Sequence, residues 1–565
     1  MNAGHQRPWT DPGPVVEGGL ELARAEGLSF TVADVLHRRG ATSGDELARW
    51  LDPKLAHLTS PEGMADLDAC ADRIVRAIRN RERVAVFGDY DCDGITSATI
   101  MTEVIEGLGG DVRAFVANRF AGGYGFSQMA LERVRQSGAS LLVTCDCGSS
   151  DHERIEAART VGIDTVVIDH HLVPDEPLPA VAFLNPHRPD CGFGYKGLAS
   201  CGLALFVATA LRKRLDPRLD VRRWLDLVAV GTIADVAPLD GDNRALVRAG
   251  LSVLGQGLRP GLDAMRLNAC RGRRRPMSAE DVAYQIAPRI NAPGRLGDPA
   301  VALDLLRASD QATAWSIADR VEQLTLRRRE LQRTMVEEAV VEVEERHRDA
   351  PGLVLARQGW SHGIVGIVAG RLADQFGRPT IVVGLEGERG RGSARAPTGF
   401  RLYDSIKEAE GELLGFGGHQ AAAGVEISAD RVDAFRQKWC AACERQLATM
   451  ANVPPSWSPD VRIDERDDLM AVLSDLERLE PCGEANPAPR ILFSGVRIVE
   501  TREIKGHLKV ELEIGQERIS GFGPEMGARV DELDGAQVDV IGRLKRDHFR
   551  GGEVPELLLM YVGPP

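Results

Sequence analysis

Three short apolar segments in the first half of the chain are each followed by side chains that bind metals. VAVFG is followed by Asp89, Asp91 and Asp93, and LLVTC is followed by Asp146. TVVI is followed by Asp169, His170 and His171. A further carboxylate, Asp235, lies in the apolar segment LDLVAVGTIADV, where burial without a partner would be costly. Carboxylates gathered closely repel one another, and a divalent cation is the usual compensation. The pattern therefore indicates a metal site.

The residue types also indicate which metal and which reaction. Asp and His without a thiolate favour Mn²⁺ or Mg²⁺ over structural zinc. The ligands suffice for two ions that share one carboxylate, and two ions about 4 Å apart can activate water and stabilise the leaving oxygen of a phosphodiester. Each motif alone has an ordinary explanation, as a Ca²⁺ loop, a structural histidine pair or a helix cap. Their joint occurrence favours phosphoester hydrolysis.

The elements that must position these side chains can be read from the same region. From Val84 onward, short apolar segments alternate with helical stretches, which is typical of a parallel sheet with crossover helices. Ligands bind beyond the carboxyl ends of such strands, so the metal-binding side chains should converge although they are distant in sequence. We therefore predict an α/β fold.

The rest of the chain divides by its changes of pattern. We expect two α/β lobes joined by a long helix, plus a C-terminal β-barrel, because single hydrophobic cores stop growing well below 565 residues. The expected units are a helical cap on the first lobe at residues 1–80, the first α/β lobe at 81–308, the connector helix at 309–349, the second α/β lobe at 350–452 and the barrel at 453–565.

Charge and composition limit the function classes. A net charge of −14, taken alone, argues against a nucleic-acid partner, but phosphate binding needs only a local basic track. Candidate tracks are residues 212–214, 271–275, 327–329 and 543–550. No apolar run reaches the roughly 20 residues of a membrane span, and no export signal is visible.

Cysteine usage indicates the compartment. Ten scattered cysteines suit a reducing environment better than a disulfide framework, so we expect a cytoplasmic protein without a membrane partner. Cys440 and Cys443 form a CxxC, whose helical context favours two thiols on a helix face over a zinc site. Nothing in the sequence requires more than a monomer.

The motifs resemble those of a known superfamily. GDYDCDGIT, TCDCG, IDHH and GTIADV are similar, in order and approximate spacing, to the four motifs of the DHH phosphoesterases. This resemblance implies two Mn²⁺ or Mg²⁺ ions, with Asp146 as the bridging ligand, and catalytic roles for Asp169 and His171 beside the ions. The implied metal ligands are Asp91, Asp93, Asp146, His170 and Asp235. Phe87 stands where one branch of the superfamily has another metal-binding histidine, so the first metal site should be one ligand short.

Further segments resemble the single-strand-specific exonuclease branch of that superfamily. GWSHGIVGIVAGRLADQFGRP, RGSARAPTGF and GFGGHQAAAG are similar to its DHH-associated domain, and PCGEANPAPRILF with the strands after it to its OB-like domain. The resemblance implies that Arg119, Ser393 and Arg395 hold a 5′-terminal phosphate. It also implies that His419 contacts the scissile phosphate. The remaining implied substrate residues are Gly417 and Gly418 near a phosphate oxygen, and Arg289, Asn291 and Arg295 along the strand path or between the lobes.

The resemblance predicts a 5′→3′ exonuclease that degrades single-stranded DNA to 5′-mononucleotides in repair and recombination, with a single-strand-binding protein and a helicase as partners. In the barrel, Phe493, Phe522 and Phe549 are the candidates for base stacking, although a core role is the commoner one for each. One alternative is a phosphodiesterase for short RNA or cyclic dinucleotides, which the extra residues 455–565 argue against. Another is a non-catalytic replication scaffold, which would not need to maintain a repulsive carboxylate cluster.

Overall fold

The computed structural model describes residues 9–121, 125–270, 276–450, 457–515, 517–547 and 550–564. The basic run 271–275 and Phe549 lie outside these ranges. The helices are α1 (Glu17–Glu26), α2 (Phe30–Arg38), α3 (Gly44–Leu51), α4 (Leu67–Asn80), α5 (Cys92–Gly107), α6 (Gln128–Gln136), α7 (His152–Thr160), α8 (Ser200–Leu215), α9 (Leu225–Ala234), α10 (Gly241–Gln256), α11 (Pro260–Ala269), α12 (Ala279–Asp281), α13 (Ala287–Leu296), α14 (Ala300–Arg307), α15 (Gln311–Arg346), α16 (Val365–Phe376), α17 (Leu402–Lys407), α18 (Val432–Thr449), α19 (Leu469–Arg478) and α20 (Val530–Leu533).

The strands form three sheets, one in each lobe and one in the barrel. They are β1 (Arg83–Gly88), β2 (Asp111–Val116), β3 (Leu141–Cys145), β4 (Asp164–Ile168), β5 (Ala182–Leu184), β6 (Leu353–Gln358), β7 (Thr380–Glu386), β8 (Arg389–Arg395), β9 (Leu413–Gly418), β10 (Ala422–Ser428), β11 (Val461–Arg462), β12 (Ile491–Ile504), β13 (His507–Ile514), β14 (Glu517–Gly523), β15 (Gln537–Arg546) and β16 (Pro555–Gly563).

The first lobe is built on a parallel sheet in the order β2-β1-β3-β4-β5. Successive residues of β1 pack alternately against α4, α5 and α8 on one face and against α6 and α7 on the other, so both faces are buried. The last residues of three strands lie side by side, because Gly88 pairs with Cys145 and Cys145 pairs with Ile168. The segments that follow these strands therefore share one edge of the sheet.

The long helix α15 joins the two lobes. It begins at an N-cap, Asp310, whose carboxylate accepts a hydrogen bond of 2.9 Å from the backbone nitrogen of Thr313, and it contains neither Gly nor Pro. Its 36 residues correspond to a length of about 54 Å. The second lobe is a mixed sheet in the order β6-β7-β8-β10-β9, in which β6 and β7 are parallel and the other pairs antiparallel.

The C-terminal strands close into a barrel, as predicted. They are arranged β12-β13-β14-β16-β15, and β15 pairs with β12 to complete the ring, while β11 pairs in parallel with the first residues of β12. Phe493 is buried in the barrel core, whereas Phe522 is half-buried with its ring 5.4 Å from that of His507. The fold class of two α/β lobes, a connecting helix and a β-barrel is confirmed.

The N-terminal helices differ from the expected cap. Helices α1–α3 share a hydrophobic core with α19 and the barrel strands, whereas α4 belongs to the core of the first lobe. The carboxylate of Asp467 accepts hydrogen bonds from the backbone nitrogens of Phe30 and Thr31 and so caps α2 from the other end of the chain. The apolar periodicity of a helix predicts that one face is buried but does not identify the partner. Within the described ranges, no helix is both long and apolar enough to span a bilayer.

Candidate metal centre and adjoining pocket

The turn from β1 into α5 places the first carboxylates. Asp91 is the N-cap of α5, and its Oδ1 accepts a hydrogen bond of 3.1 Å from the backbone nitrogen of Gly94. Asp93 lies in the first turn of the helix. A Cβ at Gly94 would lie 2.5 Å from the backbone nitrogen of Asp89, so this close turn requires glycine.

The other predicted ligands come from three further chain segments. Asp146 directly follows β3 in a left-handed conformation with φ of 63°, and its nitrogen donates to the carbonyl of Ile168 at 2.9 Å. His170 follows β4, and Asp235 is the C-cap of α9. The Nε2 atom of His170 lies 3.2 Å from Asp146 Oδ1, 3.7 Å from Asp235 Oδ2 and 3.9 Å from Asp93 Oδ2.

The structure therefore brings the predicted ligands together. Three groups have ligand atoms within 4.8 Å of one another, namely Asp89, Asp91 and Asp146; Asp93, His170 and Asp235; and Asp146, His170 and His171. Asp146 and His170 each belong to two of these groups. Asp89 was not in the predicted ligand set, although its place in the DxDxD pattern was a signal.

The electrostatics of the cluster fit a divalent cation. Burial and neighbouring carboxylates raise the pKa values of Asp89 and Asp146 well above their usual range, and the same causes raise the pKa of Asp235 to about 8. Among the described residues, the buried atoms Asp89 Oδ2 and His170 Nε2 have no hydrogen-bond partner. A bound metal ion would offset the repulsion between the crowded carboxylates and would give these buried oxygen and nitrogen atoms a partner.

Helix α8 also contributes to the centre, which the sequence reasoning missed. The backbone nitrogens of Ser200 and Cys201, at the start of α8, donate to the two carboxylate oxygens of Asp93 at 2.7 and 2.9 Å. The Oγ atom of Ser200 donates to Asp146 Oδ1 at 3.2 Å. The positive end of the helix dipole therefore holds one ligand in place and contacts a second. No motif in the sequence marks this contact, because it depends on tertiary packing.

Asp169 has its carboxylate turned to the protein rather than to the ligand groups. It accepts hydrogen bonds from His171 Nδ1 at 2.7 Å and from the backbone nitrogen of Ser149 at 3.0 Å. Burial opposes the charge on His171, but the hydrogen bond and the negative charge of Asp169 outweigh it and raise the pKa of His171 to about 9. Asn185 holds the same segment by donating to the carbonyl of His171 at 2.9 Å. Asp169 thus fixes the orientation of the His171 ring.

Phe87 occupies an apolar position. It is buried on the opposite face of β1 from α5, with its ring 5.2 Å from the ring of Phe126 in an edge-to-face arrangement. Phe87 therefore serves the core of the first lobe, and the nearby group of Asp89, Asp91 and Asp146 consists of carboxylates.

A pocket of about 400 Å³ lies between the two lobes, next to the centre. Tyr90, which separates Asp89 and Asp91 in the chain, lines it, and the guanidinium of Arg119 stacks 4.2 Å from the Tyr90 ring. The other polar side chains of the lining are Arg295, His362, Arg391, Ser393 and Arg395, and no carboxylate is among the described lining residues. The predicted residues Arg119, Ser393 and Arg395 are thus brought together, and Arg295 joins them.

Buried cations crowd this pocket. Burial and the charge of Arg119 lower the pKa of Arg295 to about 10, and burial lowers the pKa of Arg395. The Nη1 atom of Arg395 donates to Ser393 Oγ at 2.8 Å, and this hydrogen bond restrains the guanidinium of Arg395 beside Ser393. A Cβ at Gly363 would lie 2.0 Å from the carbonyl oxygen of Arg295, so glycine is required where the second lobe approaches the first. The arrangement is suited to an anion.

The remaining predicted substrate residues lie elsewhere. Arg289 forms a two-pronged ion pair with Glu322 of α15 at 2.7 and 3.1 Å, so it joins the first lobe to the connector helix. Asn291 is in α13 with a buried Oδ1 that lacks a hydrogen-bond partner among the described residues. Gly417, Gly418 and His419 are exposed where β9 turns into β10, and none of the described cluster carboxylates lies within ion-pairing distance of His419.

Comparisons with known proteins agree with this geometry. Family models match at residues 83–232 (DHH family, N-terminal domain), 349–445 (DHHA1 domain) and 460–561 (RecJ OB domain). The single-stranded-DNA-specific exonuclease RecJ of Dickeya dadantii is 34% identical over 571 residues, covering 95% of this chain and 97% of that protein. The crystal structure of RecJ in complex with Mn²⁺ from Thermus thermophilus matches with a TM-score of 0.81 and 30% identity, covering 99% of this chain and 79% of that chain. The Mg²⁺ complex of the same protein matches with a TM-score of 0.75 and 28% identity, covering 99% and 78%.

Proposed function

The chain belongs to the RecJ family of single-stranded-DNA-specific exonucleases, and we propose that it degrades single-stranded DNA in the 5′→3′ direction to 5′-mononucleotides. The observation that carries the proposal is a carboxylate–histidine cluster directly beside a pocket lined by Arg119, Arg295 and Arg395, whose described lining contains no carboxylate. A terminal phosphate in that pocket would place a nearby phosphodiester bond at the cluster. This arrangement explains both cleavage from an end and the choice of end.

The residues that would hold two Mn²⁺ or Mg²⁺ ions are Asp89, Asp91, Asp93, Asp146, His170 and Asp235. When bound, such ions supply a nucleophilic water and neutralise the charge of the phosphodiester. The protein's own part is to fix the donor atoms, as the α8 backbone does for Asp93. We assign the His171 ring, held by Asp169, to a phosphate oxygen of the scissile group.

The substrate residues are assigned by their surroundings. Arg119, Arg295, Ser393 and Arg395 bind the 5′-terminal phosphate, since arginine forks and a hydroxyl are well suited to phosphate oxygens. We retain the assignment of Gly417, Gly418 and His419 to the scissile phosphate, with the bound DNA bridging their exposed turn and the metal centre.

The cellular role is part of the proposal. We propose a cytoplasmic, monomeric enzyme of DNA repair and recombination that receives its substrate from a helicase and a single-strand-binding protein. All ten cysteines are free thiols, which suits a reducing compartment. We retain the expected unit limits, except that α1–α3 group with the barrel. The barrel at residues 460–561 argues against a substrate restricted to short RNA or cyclic dinucleotides, and the intact cluster argues against a non-catalytic scaffold.

The test uses 5′-labelled and 3′-labelled oligonucleotides of DNA and RNA, single-stranded and duplex, with and without Mn²⁺. We expect the 5′ label to appear at once as a mononucleotide from single-stranded DNA, and the 3′ label to pass through a ladder of shortening products. Asp146→Asn should abolish this activity, whereas Asp175→Asn, an exposed carboxylate on the loop after β4, should not. Mononucleotide release from the 3′ end, or near-normal turnover by Asp146→Asn, would contradict the proposal.

A further inference from the structure

A second groove, of about 350 Å³, opens between the first lobe and the segment that leads into the barrel. Its lining includes Val236 and Tyr284 from the lobe and Pro487 and Arg543 from the barrel side. Val236 directly follows the metal-centre residue Asp235. The groove therefore begins one residue away from the group of Asp93, His170 and Asp235, whereas the phosphate pocket adjoins the group of Asp89, Asp91 and Asp146 through Tyr90.

Two apolar side chains of the groove are unusually exposed. Val236 is 66% exposed and Tyr284 is 68% exposed. Val236 also has φ of 59°, a left-handed conformation that is strained for a β-branched residue. Tyr284 lies in a π-helical segment, Val282–Ile286, and such segments often occur at functional sites. Strain and exposure at these positions indicate that the groove is shaped for a ligand.

Arg543 brings a cationic side chain without an ion pair among the described residues to the same groove, whose lining also includes Glu280, Glu480 and Glu484. Its Nε is buried without a hydrogen-bond partner, and no hydrogen bond or ion pair of its guanidinium is found within the described ranges. Other arginines of the same basic track are paired, since Arg546 binds Glu477 at 2.7 Å and Arg550 binds Glu511 at 2.6 Å. Arg543 is therefore the member of that track whose donors remain for a ligand.

We propose that this groove binds a nucleobase of the DNA strand on the 3′ side of the scissile bond, with the base on the Tyr284 ring and against Val236. The inference rests on the proposed function, because a strand with its 5′ end in the phosphate pocket must leave the metal centre on the opposite side. Arg543 then contacts the edge of that base. The rim carries the exposed carboxylates Glu280 and Glu484, which repel the phosphate backbone and favour entry of the uncharged base.

The size of the effect follows from stacking. One base on an aromatic ring corresponds to about 5- to 150-fold in affinity. Tyr284→Ala should therefore raise the KM for single-stranded DNA by a factor in that range. Tyr284→Phe should leave the KM at the wild-type value, because the ring is kept. Arg543→Met should raise KM as well. Leu258→Ala, at a residue that is 71% exposed and outside the groove, is the matched control and should not change KM.

The decisive measurement is a scan of 5′-phosphorylated oligonucleotides that each carry one abasic residue. With the wild-type enzyme, KM should rise at one position on the 3′ side of the first bond, and at that position Tyr284→Ala should add no further loss. A flat scan with the wild-type enzyme overturns the inference even if Tyr284→Ala fails to fold. A further rise in KM caused by Tyr284→Ala at the position where the wild-type KM rises also overturns it, because the ring would then not act through that base. If the wild-type enzyme releases no mononucleotides from the 5′ end, the proposed function itself has failed.

Discussion

Replacing Arg395 tests the phosphate pocket, because Arg395 lines it without an ion pair among the described residues. Arg119, Arg295 and Arg395 line one pocket whose described lining has no carboxylate, and burial lowers the pKa of Arg395. Mutual repulsion of buried cations costs stability unless an anion is bound. A 5′-terminal phosphate supplies that anion, whereas a 5′-hydroxyl end does not.

The magnitude follows from the hydrogen bonds that the Arg395 guanidinium would donate to the phosphate. A hydrogen bond to a charged group contributes about 1.5 to 3 kcal/mol, so Arg395→Ala should lower kcat/KM for a 5′-phosphorylated strand by about 10- to 150-fold. The value for a 5′-hydroxyl strand should change little. The preference for phosphate should therefore fall by the same factor. The kcat/KM of Arg395→Lys for the phosphorylated strand should lie between the values of the wild-type enzyme and Arg395→Ala, because lysine keeps the charge but loses the two-pronged geometry.

The assay compares kcat/KM for two oligonucleotides of one sequence that differ only in the 5′ group. Arg389→Ala is the control, because Arg389 is exposed on the same strand, β8, and does not line the pocket. Thermal melting of Arg395→Ala without DNA should be unchanged or raised, since one repelling cation has been removed. An unchanged phosphate preference in a folded Arg395→Ala variant would refute the assignment of the pocket.

Two further predictions concern stability. Arg244→Met should lower the free energy of unfolding of the N-terminal helices by about 2 to 5 kcal/mol and speed their hydrogen exchange, because buried Arg244 donates to the carbonyls of Trp50 at 2.6 Å and Pro481 at 3.1 Å. Unchanged hydrogen exchange in α1–α3 would show that the hydrogen bonds of Arg244 do not stabilise these helices. Mn²⁺ at about 100 times its Kd should raise the wild-type melting temperature by roughly 5 to 10 °C, whereas Asp146→Asn should melt higher than wild type in EDTA and lose the Mn²⁺ response. A full Mn²⁺ shift in that variant would contradict the ligand set.

The convergence of the metal centre was predictable because it follows from a rule about sheets. Segments after parallel strands share one edge, so Asp91, Asp146 and His170 could be placed together from the sequence. The connector helix was equally predictable, since a long stretch that lacks Gly and Pro and has apolar residues at helical spacing favours a continuous helix. These predictions needed only local pattern and a general rule of topology.

The features that were missed depend on which surfaces meet. The donation from Ser200 and Cys201 to Asp93 joins segments more than a hundred residues apart, and nothing local marks it. The packing of α1–α3 on the barrel is likewise a choice of partner that an amphipathic helix does not encode by itself. For the same reason, the groove with Tyr284 and Arg543 was not visible in the sequence. Basic tracks were visible there, but not which of their arginines would be paired.

The distribution of charge explains how an acidic protein can bind a polyanion. The net charge of −14 includes a group of carboxylates committed to the metal centre, where bound cations would change the local sign. Among the described residues, Arg119, Arg295 and Arg395 line the pocket without an ion pair, while Arg391 is paired with Glu426 and Arg546 and Arg550 with other glutamates. Attraction for DNA is therefore concentrated at the positions where the strand end and the bond to be cut must lie. A uniformly basic surface would hold DNA in many registers, whereas isolated cations beside a metal centre favour the register in which hydrolysis occurs.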